Sequence, residues 1–419
     1  MLAVFRQRNF ALLWLGFVVS MMGDWILLVA LPFYIYQRTG SALATGAIFI
    51  VETLPALFFG SLAGVFVDRW NRRWTIIIAE TMSAIVLLLL LFIQSSNGLW
   101  LVYVVAFLES LLEQFINSAY GALIPNLLKE GQLTAGNSAN AFGQEMTRLI
   151  GPTLGGVVLS VFGLTHVIVV DSFSFLCCGV LVFFIALPPK QKSAITPSVS
   201  DIPIQTNMLR EWIEGLKLVQ KEPIIRAVFI VMAVAMIGEG FGRVVFVPFV
   251  KDVLHGNSVA FGWILSVQGL GGIIGSLLNT RLHKFTSSVR IIGYSGMILG
   301  VLNLVAVTFP TVPVLLAIYL LGGGPVVIFF VGIYTLLQQN VPDTHRGRIF
   351  GAYGTTNMLF LLGGMFLSST FTPILGSLLM FASMGAFYFL AGAVALVLLR
   401  KAKIVTEKLV ADVALQQPE

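Results

Sequence analysis

Apolar runs long enough to cross a bilayer recur along almost the whole chain, and that recurrence excludes most ways a polypeptide can fold. Backbone N–H and C=O groups find no water in hydrocarbon, so a spanning segment of about 20 mostly apolar residues is expected to be a helix. Breaks of Gly, Pro, Asn or clustered charge divide the chain into segments at 9–36, 42–67, 74–95, 99–126, 134–162, 165–187, 224–252, 259–282, 288–309, 312–339, 347–370 and 374–399. The expectation is an all-α membrane protein with twelve transmembrane helices. Only 11% of residues are charged, against about 25% in soluble domains, which leaves little chain for a water-soluble unit. Residues 1–23 imitate a signal peptide, with Arg6 and Arg8 ahead of an apolar run. The run continues past Asp24 without a small-residue cleavage site, so it reads as an uncleaved first span.

The loops test the count independently, because Lys and Arg accumulate on the cytoplasmic side. With the N-terminus inside, Arg38 and Lys251 alone of the 25 basic residues fall on the outer side, and Arg148 and Arg243 alone within spans. A missed span would have scrambled that alternation. Both termini are thus expected in the cytoplasm, and the protein in the plasma or inner membrane. The net charge of +6 forms no continuous basic stripe, so nucleic acid is not an expected partner. Adjacent Cys177 and Cys178 lack metal-binding spacing and read as packing residues.

One connection is long. Residues 188–223 are polar and basic, and separate a first six-span unit, 1–187, from a second, 224–400, with residues 401–419 as a cytoplasmic tail. The second part of this linker places Leu209, Trp212, Ile213, Leu216 and Val219 on one helical face, which suits a helix lying in the membrane interface or a soluble connector. The strings ALIPNLLKEGQL (122–133) and QQNVPDTHRGRI (338–349) follow the fourth and tenth spans and hint at an internal repeat.

The most specific string is GSLAGVFVDRWNRR, residues 60–73, between spans two and three. Its glycine permits close helix approach, and an Asp flanked by arginines can bridge helix ends. Gly64, Asp68, Arg69, Arg72 and Arg73 resemble the G-x-x-x-D-R-x-x-R-[RK] loop of the major facilitator superfamily. RLIGPTLGG, residues 148–156, resembles the G-P-x-x-G-G core of that superfamily's antiporter signature at Gly151, Pro152, Gly155 and Gly156, with Thr147 where the signature has its first glycine. With the span count and central loop, the chain resembles the drug and macrolide efflux branch. The resemblance implies two six-helix bundles related by a pseudo-two-fold axis, a gating role for Asp68 and its arginines, and proton antiport.

Ionisable residues inside spans carry the mechanism. Each costs about 2.5–3.5 kcal/mol at a helix centre on insertion scales, so each is expected to face a partner or a wet cavity. Asp24, Glu109, Glu113, Glu145 and Glu239 lie near the middles of their spans, while Glu80 and Asp171 lie nearer an end and read as structural. Glu145 with Arg148, and Glu239 with Arg243, have helical spacing for ion pairs. Asp24, Glu52, Glu109 and Glu113 outnumber nearby cations, and an unpaired carboxylate in low dielectric is driven toward its neutral form, as a proton carrier requires. All four histidines fall in or beside loops. Trp25, Phe33 and Phe115 are candidate pocket aromatics.

The expected activity is export of a hydrophobic or cationic small molecule in exchange for protons, by alternating access. One charge crossing 100 mV is worth about 2.3 kcal/mol, enough for a roughly 50-fold gradient. No ATP-binding G-x-x-x-x-G-K-[ST] loop is present, and no cofactor or metal is expected. The chain is expected to work as a monomer in the lipid bilayer. The rival cargo is a siderophore, lysophospholipid or metabolite; an intramembrane enzyme is disfavoured because no H-E-x-x-H or nucleophile–base pairing occurs.

Overall fold

The computed structural model describes residues 2–92, 98–129, 131–186, 208–282, 287–342 and 345–415. After a short 3-10 turn, six helices form the first half: α1 (Arg8–Thr39), α2 (Ala42–Arg69), α3 (Arg72–Leu88), α4 (Leu99–Leu127), α5 (Leu133–Phe162) and α6 (Leu164–Phe183). Then α7 (Met208–Lys221) precedes α8 (Pro223–Pro248), α9 (Ser258–Leu282), α10 (Ser288–Thr308), α11 (Val312–Asn340), α12 (Arg346–Leu375) and α13 (Ser377–Leu415). Local chemistry sets several boundaries. Asn71 accepts from the backbone N–H groups of Arg73 and Trp74 and so caps α3, satisfying donors that have no intrahelical partner. Gly163 and Gly376 end α5 and α12 with φ of 79° and 82°, a backbone region that glycine enters without steric cost.

Among the described residues, eleven helices are long and apolar enough to cross a membrane. The remaining long helix of the twelve is α5, whose 30 residues would reach about 45 Å. Asn137, Asn140, Gln144, Glu145 and Arg148 make it more polar than the other eleven. It is nevertheless enclosed by α1, α6 and α9.

Packing follows the expected repeat. In the first half α1 packs on α5 and α6, α2 on α4, and α3 on α4 and α6; in the second, α8 packs on α12 and α13, α9 on α11, and α10 on α11 and α13. Every one of these pairs maps onto its counterpart by a shift of seven elements, with α7 as the insertion. The halves meet through another matched set, α5 on α9 and α2 on α12, which gives the pseudo-two-fold relation.

The two ends of the molecule differ. One end carries the α2–α3 turn with Arg69, Arg72 and Arg73 and is called the basic end; the far end carries Arg38 and Lys251. At the far end one apolar core includes Ile26 and Phe33 of α1, Leu159 of α5, Phe246 of α8, Phe261 of α9 and Phe381 of α13 and so joins both halves, while a second, around Leu31, Leu87 and Val102, belongs to the first half. Toward the basic end each half has its own core, one around Phe10, Leu13 and Leu123 and another around Val228, Phe329 and Tyr388. The halves are therefore fused at the far end and separate at the basic end.

The linker helix packs against the second half, in keeping with the connector alternative. The apolar face of α7 is covered by protein rather than lipid: Trp212, Leu216 and Val219 pack on the second-half core, and the Trp212 indole donates to Thr356 Oγ1 at 3.0 Å. Gly215 makes this possible, since a methyl there would lie 2.6 Å from Ala352 Cβ and 2.8 Å from the Arg348 carbonyl oxygen. Ile213, expected on the same face, is exposed, and residues 188–207 lie outside the described residues. The last helix also runs on to Leu415, through most of the expected tail.

Candidate functional site

A cavity lies between the halves in two lobes that share Glu145, Arg148 and Arg243. The first-half lobe, about 530 Å3, is lined by Asp24 and Trp25 of α1, Glu52 of α2, Ser83 of α3, and Glu109, Glu113 and Asn117 of α4. Glu109 and Glu113 are one turn apart and so present to the same side of α4. The second-half lobe, about 510 Å3, has a mostly apolar wall interrupted by Glu239, Gln268, Asn303, Tyr319 and Tyr388. Each of the eight ionisable residues expected at a central cavity lines one lobe or both.

Their partners are unequal. Arg243 Nε lies 3.7 Å from Glu239 Oε1, and Tyr388 Oη donates to Glu239 Oε2 at 2.6 Å, so both oxygens of Glu239 are engaged. Glu145 and Arg148 do not form the expected ion pair, although both reach the cavity, because three-residue spacing allows a contact without requiring one. Glu113 accepts from Asn117 Nδ2 at 3.2 Å, whereas Glu109 Oε1 is buried with no hydrogen-bond partner. The first lobe thus gathers Asp24, Glu52, Glu109, Glu113 and Glu145 against two arginines, one already beside Glu239.

Behind α1, away from the lobe, sit two more acids. Glu80 is fully buried and accepts from Ser20 Oγ at 3.1 Å; Asp171 is fully buried against Gly23 and accepts from Ser174 Oγ at 3.2 Å, its Oδ2 unpartnered. Ser20 itself lines the lobe and so stands between the cavity and Glu80.

The two sequence motifs occupy opposite ends. In the loop motif, Arg72 pairs with Asp68 at 3.7 Å and donates to the Ala122 carbonyl of α4 at 2.9 Å, while Arg73 donates to the carbonyls of Val182 and Phe183 at the end of α6. Arg73 thus lies where the C-terminus of α6 leaves carbonyls unsatisfied, while Arg72 reaches a carbonyl in the last two turns of α4. The close helix approach expected at Gly64 is absent: a methyl there would meet nothing within 4 Å, because the halves are apart at this end. Glycines on α12, Gly347, Gly351 and Gly354, face open space likewise.

The second motif seals the far end. Gly151 packs on Trp25, and a methyl on Gly155 would lie 2.7 Å from the Ile26 carbonyl oxygen. Gly156 meets the backbone of Ser258, and the Pro152 carbonyl fills the space beside Gly262. Thr153 Oγ1 donates to Ser266 Oγ at 2.8 Å across the same α5–α9 seam, and Tyr36 Oη donates to Asp252 from one half to the other.

Two aromatic expectations are corrected. Phe33 belongs to the far-end core, 6.0 Å from Phe261, and Phe115 stacks on Trp70 near the basic end; of the three candidates only Trp25 lines the cavity. Gln268, Asn303, Tyr319 and Tyr388 escaped the sequence reading because each is a single neutral polar group on an apolar helix, with no spacing to mark it.

Comparison with known proteins gives a consistent picture. The profile of the Major Facilitator Superfamily matches residues 13–362 and 228–412. The chain is 26% identical over 382 residues to macrolide efflux protein A of Streptococcus pyogenes, covering 88% of this chain and 91% of that one. It is 24% identical to the staphyloferrin A transporter of Staphylococcus aureus, over 87% and 89% of the two chains. Among solved structures, a bacterial homologue of the iron transporter ferroportin in its inward-facing state superposes with a TM-score of 0.74 at 17% identity, over 94% of this chain and 98% of that one. The outward-facing state of such a homologue superposes less well, at 0.58, over 94% and 99%.

Proposed function

Because the chain belongs to the major facilitator superfamily and is a multi-pass membrane transporter, we propose that it exports a hydrophobic or cationic small molecule from the cytoplasm in exchange for protons. The observation that carries this reading is the first lobe, where five carboxylates face a water-accessible space with too few cations to neutralise them. Such a surface concentrates cations, and each acid can trade a proton for an ammonium group. The apolar wall of the second lobe receives the rest of the molecule. Basic residues concentrated at the open end support placing that end, and both termini, in the cytoplasm of a plasma or inner membrane. In this orientation the structure corresponds to an inward-facing state, ready to load.

Alternating access follows from the two seams. Opening the far end means parting α5 from α9 and α2 from α12, and closing the basic end brings Gly64 of α2 toward the open glycine face of α12. Asp68 and the loop arginines then hold the closed basic end. The similarity to macrolide efflux protein A supports export of a drug-like compound.

A siderophore or another acidic metabolite is the second reading, favoured by the likeness to the staphyloferrin A transporter and by Arg148 and Arg243 at the junction of the lobes. Inside-out vesicles separate the two. A panel of dyes, antibiotics and siderophores is offered with and without an imposed pH gradient. Gradient-dependent uptake of a cationic compound, with proton movement on its addition, is expected; uptake of acidic chelators alone overturns the cationic reading.

A further inference from the structure

Glu80 and Asp171 are left unused by the mechanism above. Both are fully buried, and neither makes an ion pair among the described residues. Their place in their spans marks them as structural, yet a structural polar anchor normally has its partners. Asp171 Oδ2 has none, and neither has Ser172 Oγ next to it in the chain. The titratable groups around Glu80 are Asp24 of α1, Glu109 of α4, and Asp171 and Cys178 of α6, none of which can balance an anion.

The site sits where α1, α3 and α6 meet. A methyl on Gly16 of α1 would lie 3.2 Å from Cys178 Sγ, one on Gly23 would overlap the Asp171 carboxyl, and one on Gly179 of α6 would touch Glu80 Cβ. The helices are therefore in contact on every side of Glu80 but one. On that side Ser20, itself 4% exposed, lines the first lobe and holds its hydroxyl 3.1 and 3.3 Å from the two carboxylate oxygens. Ser83, three residues from Glu80 on α3, lines the lobe as well. A hydroxyl has one donor and two acceptor positions. Ser20 can thus take a proton from an acid or water of the lobe on a lone pair while its own proton passes to Glu80; the serine oxygen keeps one hydrogen, the carboxylate becomes a carboxylic acid, and the reverse sequence empties the site.

Resting on the exporter reading, we propose that Glu80 is a proton-binding site off the substrate path, filled from the lobe and emptied into it through Ser20. The thickness of α1 alone separates this proton from the cargo. A cation in the lobe favours the ionised form of Glu80 and so drives its proton out, and by linkage a proton on Glu80 weakens the hold of the lobe on a cation. Exchange then needs no acid that cargo and proton both touch. Ser20 is a positioning residue here, since it acts through Glu80.

The test needs no substrate. Infrared spectra of reconstituted full-length protein report the carbonyl stretch of protonated carboxyl groups, and the difference between parent and Glu80→Gln isolates the Glu80 band, because Gln keeps an acceptor for Ser20 and carries no acid proton. The band should be present at acid pH, vanish reversibly at alkaline pH, and shift on transfer to heavy water. Ser20→Ala should slow that shift about tenfold, the weight of one lost hydrogen-bonded step, and Ser20→Thr, which keeps the hydroxyl, should restore it. A band unchanged from acid to alkaline pH, no Glu80 band at any pH, or equal exchange in the parent and Ser20→Ala overturns the site. In inside-out vesicles, uptake of a cationic compound by Glu80→Gln should lose its response to the pH gradient; a parent-level response overturns the part of Glu80 in exchange. Should the band behave as stated while the parent moves no compound with the gradient, the exporter reading fails and the proton site stands.

Discussion

The carbonyl of Gly156 on α5 accepts a hydrogen bond from the Ser258 hydroxyl on α9 at 2.8 Å, and no side chain separates the two backbones. A methyl on Gly156 would be driven into the Ser258 peptide, 2.9 Å from its carbonyl carbon. Overpacking of this kind costs about 1–3 kcal/mol. Since α5 and α9 belong to different halves, that cost falls on the far-end-closed state alone. Gly156→Ala should therefore enrich far-end-open molecules, seen as increased labelling of a cysteine introduced at Phe33 by a membrane-impermeant thiol reagent. Unchanged labelling would show that the seam yields more easily than its geometry indicates.

Gly64 makes the opposite case. With nothing within 4 Å of a methyl at this position, Gly64→Ala should leave thermal stability in detergent within about 0.5 kcal/mol of the parent. Larger side chains should obstruct closure of the basic end. Gly64→Leu is expected to keep the melting temperature yet reduce export at least tenfold in vesicles, a separation of stability from turnover that a purely structural glycine would not give.

Glu109 and Glu113 share one side of α4 and both line the first lobe. Glu109→Gln and Glu113→Gln retain size and hydrogen bonding while removing the proton exchange. Export driven by a pH gradient should be lost in the variant that touches the carrier acid, with the protein still folded and in the membrane. Parent-level, gradient-dependent transport in both variants would remove these two acids from the proposed mechanism.

Tyr388 is buried, and its hydroxyl donates to Glu239 at 2.6 Å. A hydrogen bond to a charged group is worth about 1.5–3 kcal/mol net. Tyr388→Phe keeps the ring and deletes the donor, so the melting temperature should fall by several degrees, and Glu239→Gln combined with it should lose less than the sum of the two single changes.

Chain order, helix count and the pairing of halves were legible in the sequence because the bilayer imposes a local rule: each span must satisfy its own backbone, and each loop must declare its side by charge. Even the polar α5 was readable, from the breaks that bound it, and the loop charges on either side agreed with it. The acids of the cavity were legible for a related reason, since a charge in a span is too costly to keep without a wet or paired destination. Tertiary structure alone decided what each group meets. It put Phe33 in the seal and Trp25 in the lobe, left Glu145 and Arg148 apart, docked α7 on α12, and opened space around Gly64. Those outcomes depend on how two rigid halves lean against each other, and the energy differences among such arrangements come from contacts between residues far apart in the chain, which no local pattern encodes.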